Sequence, residues 1–330
     1  MSREYVLSLL LEDTAAYLSG EEMSRRLGVS RAAVWKAIET LRQEGYEISS
    51  APNRGYRLEA APDRVREGEL RGPLTGCVIG SSLSCLDVID STNTECKRLA
   101  MSGAPHGLAV LAEEQTGGRG RLGRSFQSPR GGGLYLSVLL RPDLPPAEVV
   151  DFTAWVAVAV CDGVEAACGV RPRIKWTNDL VLNGKKLAGI LTELGLESET
   201  NSLQCLVTGI GINVNQGEED FEGEVRDIAT SLALALGRPV RRSHLAAEVL
   251  KALDRMYAGF PHNKEEYLEK YRADCMTPGN QVQLITPVSR QEATALAIDD
   301  QFRLVVELPD GTRKALSTGE VSVRGMYGYV

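Results

Sequence analysis

Ten residues, Gln115-Thr-Gly-Gly-Arg-Gly-Arg-Leu-Gly-Arg124, hold four glycines and three arginines. Glycine lets a backbone approach a ligand closely and adopt conformations closed to other residues. Arginine adds a fixed positive fork suited to phosphate and carboxylate oxygens. The stretch predicts a loop that is loose when empty and closes over a bound anion. Gly118-Arg-Gly120-Arg-Leu-Gly123 also spells the three-glycine dinucleotide-binding pattern. That pattern has meaning only between a strand and a helix. The next residues, Ser125-Phe-Gln-Ser-Pro129-Arg-Gly-Gly-Gly133, cannot be a helix, so the dinucleotide reading fails. The bland alternative is a solvated surface loop, and the rest of the chain weighs against it.

Residues 1–60 read as three short helices and a hairpin. Tyr5, Val6, Leu9 and Leu10 recur at helical spacing. A second helix carries Met23 and Leu27 inward and ends at Gly28, a residue suited to a left-handed cap. Ser30 caps a third helix, with Val34, Ile38 and Leu41 on one face and Arg31, Trp35 and Lys36 largely off it. Tyr46–Ile48 and Gly55–Leu58 are strands around Pro52-Asn53-Arg54. The order is that of a winged helix-turn-helix. Eight basic side chains face nine acids in this stretch, yet Arg25, Arg26, Arg31 and Lys36 follow one another with no acid between them. The DNA-contact candidates are Arg25, Ser30, Arg31, Ala32, Trp35, Lys36 and Arg54. A protein-docking helical unit is the alternative.

A charged, Pro-containing connector with one helical turn occupies residues 60–72. The middle of the chain then alternates strands and helices. Asp90-Ser-Thr-Asn93 caps a helix to Met101, and Leu108–Ala112 is a buried strand leading into the Gly/Arg loop. Leu134–Leu140 is a strand and Val149–Cys168 a long apolar helix. Ile174–Asp179 opens a strand pair that turns at Asn183-Gly184 and returns through Lys185–Glu193. Leu203–Ile212 is a further strand, and helices follow near 225–236, 243–258 and 264–274. From Pro278, five short runs separated by turn residues read as a small SH3-like β-barrel. The expected class is α+β, with a mixed central sheet and domains at 1–62, 63–275 and 276–330.

The net charge of −7 over 330 residues leaves any nucleic-acid contact to a local patch. Seven cysteines without a C-x-x-C pair argue for a reducing compartment, and three scattered histidines against a His-based metal site. The start, Met-Ser-Arg-Glu, has no signal-peptide core, and Phe152–Cys161 is too short to span a bilayer. A cytoplasmic protein is expected, without a membrane partner.

Three stretches of the middle region share one chemistry: the Gly/Arg loop, Lys175-Trp-Thr-Asn-Asp179 at a strand end, and Lys185-Lys186. Alternation turns one of the two lysines inward; Leu187 and Ile190 do not decide which, because Gly189 can mark a bulge. There is no Walker loop, no Ser/His/Asp set and no close pair of carboxylates. Catalysis would rest on positioning and on cations around developing negative charge. That suits phosphoryl or nucleotidyl transfer, with Asp179 as a partner for a magnesium ion held jointly with phosphates. A turn cap at Asp179 and a snorkelling lysine at 186 are the structural alternatives.

Gly118-Arg-Gly-Arg-Leu-Gly-Arg124, Lys175-Trp-Thr-Asn-Asp179 and Lys186-Leu-Ala-Gly-Ile190 resemble, in order and spacing, the signature stretches of biotin–protein ligases. Asp90-Ser-Thr-Asn93 and Gly211-Ile-Asn-Val-Asn215 fit as well, and the terminal domains are similar to those of the bifunctional bacterial form, both ligase and biotin-operon repressor. The resemblance covers essentially the whole chain. It implies that biotin's carboxylate attacks the α-phosphate of ATP, and that biotinyl-5′-AMP then acylates a lysine of a biotin carboxyl carrier protein. Lys186, Arg121 and Arg119 would be catalytic. Ser91, Thr92, Asn93, Gln115, Arg119, Gly120, Arg121 and Lys186 would hold biotin. Arg121, Arg124, Lys175, Asn178, Asp179 and Asn213 would hold ATP or the adenylate, with Mg2+ at Asp179. The adenylate would act as corepressor, favouring a homodimer on operator DNA. The loop runs on as Arg124-Ser-Phe126 where the better-known form has Lys-Trp, and Thr177 stands where proline is usual. No tryptophan lies in 214–226, which leaves adenine's aromatic partner unassigned. The rival readings are a ligase whose winged helix no longer binds DNA, a repressor that only senses its ligand, and a lipoate or octanoyl transferase.

Overall fold

The computed structural model describes residues 2–196, 202–223, 225–286, 289–317 and 322–325. Cap chemistry sets the first unit. Helix α1 (Ser2–Glu12) precedes α2 (Gly20–Leu27), where Ser19 Oγ accepts the Glu22 N–H and Gly28 ends the helix at φ 65°. Ser30 Oγ accepts the Ala33 N–H and starts α3 (Arg31–Gln43). Each hydroxyl satisfies an N–H the helix leaves orphaned. Strands β1 (Glu47–Ala51) and β2 (Gly55–Ala60) pair antiparallel as the wing. Val6, Met23, Val34, Ile38, Tyr46 and Leu58 belong to this unit's own apolar core.

Helix α4 (Glu67–Arg71) is the connector's single turn. It joins the winged unit to the rest through buried polar groups. Glu69 accepts the Tyr46 hydroxyl at 2.8 Å and pairs with Arg241 at 3.1 Å, while Gly68 N–H donates to Glu4 at 3.0 Å.

Strands β3 (Ser82–Leu86), β4 (Leu108–Ala112), β5 (Gly133–Leu140), β6 (Arg173–Lys175), β7 (Asp179–Leu182), β8 (Lys185–Leu196) and β9 (Leu203–Asn213) form the central sheet. Their order is β3-β4-β5-β9-β8-β7-β6, with only β3 and β4 parallel. Helix α5 (Thr92–Met101) packs on β4, β5 and β9. Period-two alternation divides the faces. Ala109, Leu111, Leu136, Val138, Ile210 and Ile212 join the main core with α6 (Phe152–Cys168). Leu108, Val110, Leu139 and Val207 pack instead in a small cluster with Cys96 of α5. Farther along β5 and β9 that second face carries Ser137, Gly209 and Gly211, and the missing side-chain bulk of the two glycines leaves room for Asn93 and Phe126.

Two expectations shift. The long helix begins at Phe152, after a short 3-10 turn at Pro146–Val149. The helix expected over 225–236 is two, α7 (Val225–Ile228) and α8 (Leu232–Leu236). Between them Thr230 N–H donates to Lys186 O at 2.9 Å and Ser231 caps α8, so the chain bends where it meets the site. Helices α9 (Arg242–Gly259) and α10 (Lys264–Asp274) follow.

The C-terminal unit comprises β10 (Gln281–Ile285), β11 (Arg290–Ile298), β12 (Leu304–Glu307), β13 (Arg313–Leu316) and β14 (Ser322–Gly325). It is an antiparallel sheet in the order β13-β12-β11-β10-β14; among the described residues no ladder joins its two edges. Its core is continuous with that of the central sheet. Trp176 Nε1 donates to Phe302 O at 3.0 Å, and the Phe302 ring meets Tyr271 edge-on at 5.5 Å.

Candidate active site

The thirteen residues singled out as biotin, nucleotide or catalytic contacts all line one cavity of about 660 Å³. They reach it from four directions: the start of α5, the Gly/Arg loop, the β6–β8 ribbon and the end of β9.

At the α5 end, Ser91 is the helix cap, and Thr92 donates both its N–H and its hydroxyl to Gln115 Oε1, at 2.8 and 3.0 Å. Gln115 Nε2 donates to Ser128 Oγ at 2.9 Å. Below them Ser137 Oγ lies 2.6 Å from Asn93 Oδ1 and 2.7 Å from Thr92 Oγ1. Asn93 Nδ2 donates to Glu193 Oε2 at 2.9 Å. Buried polar groups this fully bonded are rigid, and they present a fixed donor and acceptor pattern.

The Gly/Arg loop folds back on itself. Gly120 N–H donates to Arg124 O at 2.7 Å and Phe126 N–H to Gly118 O at 2.9 Å. Its tip is a 3-10 turn at Arg121–Gly123 with Leu122 at φ 56°. Arg121 Nη1 crosses to Asn178 Oδ1 at 2.9 Å, and Asn178 Nδ2 is fixed in turn on Ile190 O at 2.9 Å. Burial draws the Arg121 guanidinium below its usual basicity, and the nearby Asp179 carboxylate works against that. Its Nη2 is buried with no partner among the described residues.

Lys186 is the inward lysine; its Nζ lies 2.8 Å from Asp179 Oδ1, while Lys185 is exposed. The reason is a bulge, but at a different residue from the one expected. Leu180 faces Ala188 and Val181 faces Lys186, so Leu187, not Gly189, is the extra residue. Gly189 lies beside the Lys186–Asp179 pair, where a Cβ would stand 3.6 Å from Asp179 Oδ1. Among the described residues no group of three or more His, Cys, Asp or Glu could hold a metal ion. Asp179 is a single carboxylate, a donor set that fits magnesium only when phosphates supply further ligands. At the far end Asn213 Nδ2 donates to Thr230 O at 3.0 Å.

Several residues in and behind the cavity wall escaped the sequence reading, Glu193 among the latter. Glu193 binds Asn93 and stands 3.3 Å from Arg119 Nη1. Gly209 and Gly211 leave room for Asn93 and Phe126: a Cβ on Gly209 would collide with Asn93 Oδ1, and one on Gly211 would lie 2.6 Å from the Phe126 ring. Positions 209, 211 and 213 share a strand face by parity, and that signal was available. Phe126, Phe221 and Gln283 of the C-terminal sheet also line the cavity. Phe126 comes in with the Gly/Arg loop, whereas Phe221 and Gln283 approach by tertiary packing and left no local trace.

The DNA-contact candidates lie elsewhere, and none lines the cavity. Arg31, Ala32, Trp35 and Lys36 are exposed along α3, Trp35 at 55%. Arg25 is exposed and pairs with Glu22 at 2.6 Å. Ser30 spends its hydroxyl on the α3 cap. Arg54, on the wing turn, has its guanidinium 4.4 Å from the Tyr17 ring centre.

Three family models match the chain in series. Residues 2–57 match an HTH domain, 85–213 the biotin/lipoate A/B protein ligase family, and 279–324 the biotin protein ligase C terminal domain. The proteins named bifunctional ligase/repressor BirA from Bacillus spizizenii and Bacillus subtilis are each 38% identical over 316 residues, 96% of this chain and 97% of theirs. A solved biotin protein ligase from Aquifex aeolicus, in complex with biotin and ATP, superposes with a TM-score of 0.63 at 30% identity, covering 74% of this chain and 99% of that one. No helix among the described residues is long and apolar enough to cross a membrane.

Proposed function

The chain belongs to the family of bifunctional biotin ligase/repressors, and from that premise we propose how its own residues divide the work. It is a biotin–protein ligase with a DNA-binding repressor unit. Biotin and ATP enter the 660 Å³ cavity. The biotin ring sits against Ser91, Thr92, Asn93 and Gln115, whose bonded network pairs its polar ureido edge. An unpaired polar edge would be costly to bury.

In the first step a biotin carboxylate oxygen attacks the α-phosphorus of ATP, and pyrophosphate leaves. Both reactants are anionic. Lys186, Arg119 and Arg121 lie around them and stabilise the charge that builds up between them. The buried Nη2 of Arg121 supports this role, since it is a donor without a protein acceptor among the described residues. Arg124, Lys175, Asn178, Asp179 and Asn213 hold the nucleotide. Asp179 would hold a magnesium ion jointly with the triphosphate, and that ion would supply charge neutralisation. In the second step a carrier-protein lysine attacks the acyl carbon, AMP leaves, and the amine gives up its proton. Until then the Gly/Arg loop, tied to Asn178 by Arg121, keeps water from the anhydride.

The repressor half rests on the exposed α3 face. When carrier protein is fully biotinylated, the adenylate accumulates, two chains associate, and two α3 helices enter successive major grooves of a two-fold operator. A chain that works on DNA and on carrier protein acts in the cytoplasm. The observation that carries the ligase assignment is the convergence of the Gly/Arg loop, the Lys175–Asp179 stretch and Lys186 on one cavity. The test is biotin-dependent exchange of labelled pyrophosphate into ATP by the purified chain with magnesium. Exchange is the expected result; biotin binding without exchange would leave only a ligand-sensing repressor.

A further inference from the structure

Glu193 sits on β8 at the centre of a cluster of side chains, and the chemistry above gives it no role. Two cations meet one of its oxygens: Lys97 Nζ at 2.6 Å and Arg119 Nη1 at 3.3 Å from Oε1. Its other oxygen accepts Asn93 Nδ2 at 2.9 Å. The side chain is only 18% exposed. A carboxylate so placed does two things. It neutralises one of two positive charges that would otherwise repel each other. It also joins a residue of the glycine-rich loop, Arg119, to a residue of the rigid α5 start, Asn93. Burial pushes the Glu193 carboxyl up, but the Lys97 ammonium and the Asn93 amide outweigh this and hold it below the usual range. The group is therefore an anion at neutral pH.

From this geometry we propose that Glu193 is a positioning residue that sets the loop's Arg119 and the cavity's Asn93 in register for the biotin adenylate. It touches no substrate; it acts through those two residues. The inference rests on the reading that Arg119 and Asn93 contact the adenylate. Arg119 has five N–H donors, and its ion pair with Glu193 draws the guanidinium toward β8 while leaving donors for the ligand. Asn93 is held by hydrogen bonds: Ser137 donates to its oxygen, and its nitrogen donates to Glu193 and to Leu191 O.

The experiment uses the full chain. Glu193→Gln keeps the shape and an acceptor but removes the charge. Three quantities are measured: KM for biotin and kcat in pyrophosphate exchange, and the rate at which preformed labelled adenylate leaves in a chase. Weakening the charged hydrogen bond from Asn93 and the ion pair with Arg119 predicts about a tenfold rise in biotin KM and about tenfold faster release, with kcat changed by less than about twofold. Glu193→Asp should fall between. In an Arg119→Ala background the Glu193→Gln change should add less than its full effect, because the two act through one contact. Unchanged KM and release, a fall in kcat alone, or full additivity with Arg119→Ala would each overturn the inference. If Glu193→Gln does not fold, the same comparison is made with Glu193→Asp. Wild-type chain that performs no biotin-dependent exchange would overturn the parent reading as well; exchange that is insensitive to Glu193 would sink this inference alone.

Discussion

Arg121 Nη1 and Asn178 Oδ1 stand 2.9 Å apart, and this bond ties the tip of the Gly/Arg loop to the turn between β6 and β7. The loop is thus latched across the cavity by a side chain that also faces the nucleotide. Asn178→Ala removes the acceptor and leaves Arg121 with two unsatisfied terminal nitrogens. Loss of one hydrogen bond to a charged group predicts about tenfold faster escape of biotinyl-5′-AMP, with the fold intact. Arg121→Gly should go further and label bystander lysines of an added protein. Both are read by the release rate of labelled adenylate and by labelling of serum albumin beside carrier protein; unchanged selectivity in both would remove the loop as a lid.

Lys186 is held 2.8 Å from Asp179 and faces the cavity, so its charge is oriented before substrate arrives. Lys186→Ala should slow adenylation about 100-fold or more, the usual cost of losing an oriented charge at a reacting oxygen. Its melting temperature should hardly change, since the side chain is neither apolar nor deeply buried. Lys185→Ala, on the exposed side of the bulge, should be close to wild type. Equal effects of the two changes would contradict the placement of the bulge at Leu187.

How far the sequence led depends on whether a residue's role was local. Gly28 and Ser30 announce helix ends by short-range chemistry, and both are caps in the structure. Asn183-Gly184 predicted a tight hairpin, and both residues have positive φ. The bulge at Leu187 was invisible, because a one-residue slip depends on what the partner strand requires. The break between α7 and α8 was missed for the same kind of reason: Lys186 O, far earlier in the chain, takes the Thr230 N–H. In the cavity, residues sharing a motif were legible together. Gln283 arrives by packing, and Glu193, behind the cavity wall, had only a parity signal, on the same strand face as Gly189 and Leu191.

Gly209 lies directly under Asn93. A methyl group there would collide with Asn93 Oδ1, which also bonds Ser137. Gly209→Ala should push Asn93 off its partners Ser137, Glu193 and Leu191 O and raise biotin KM at least about tenfold, since a buried amide left unpaired is costly. ATP KM should be less affected. Fluorescence or calorimetric titration with biotin alone checks this; unaltered biotin affinity would take Asn93 out of the ring's contacts.

Arg31 and Lys36 are exposed on α3, where no cavity residue lies nearby in sequence. Changing both to alanine should weaken operator binding in the presence of adenylate. It should also reduce the slope of log affinity against log salt by about two per chain, one for each phosphate no longer neutralised. Ligation of carrier protein should continue at the wild-type rate. Binding isotherms at several salt concentrations decide the matter. Parallel loss of both activities would refute this division of labour between the winged unit and the enzyme.

Arg242 is 1% exposed and spans the junction between the connector and the central sheet. Its guanidinium meets Asp63 and Glu113, each at 2.8 Å, and donates to Gly133 O at 3.1 Å. Burial alone would lower its basicity, but the charges of Glu113 and Asp63 more than compensate and raise it. Glu113 also accepts the Val65 N–H at 2.8 Å, so one buried ion group holds the connector to the end of β4, two residues before Gln115. Arg242→Ala strips the counter-charge from a buried glutamate. The expected cost is about 3–5 kcal/mol, far more than a surface pair would show. Because Gln115 sits next to the damaged strand end, biotin KM should rise along with the loss of thermal stability. Arg242→Ala combined with Glu113→Gln should recover part of the stability, since no buried charge then lacks its partner at that position. If the double variant is no more stable than Arg242→Ala, the cost comes from lost packing of the long side chain and not from the stranded carboxylate.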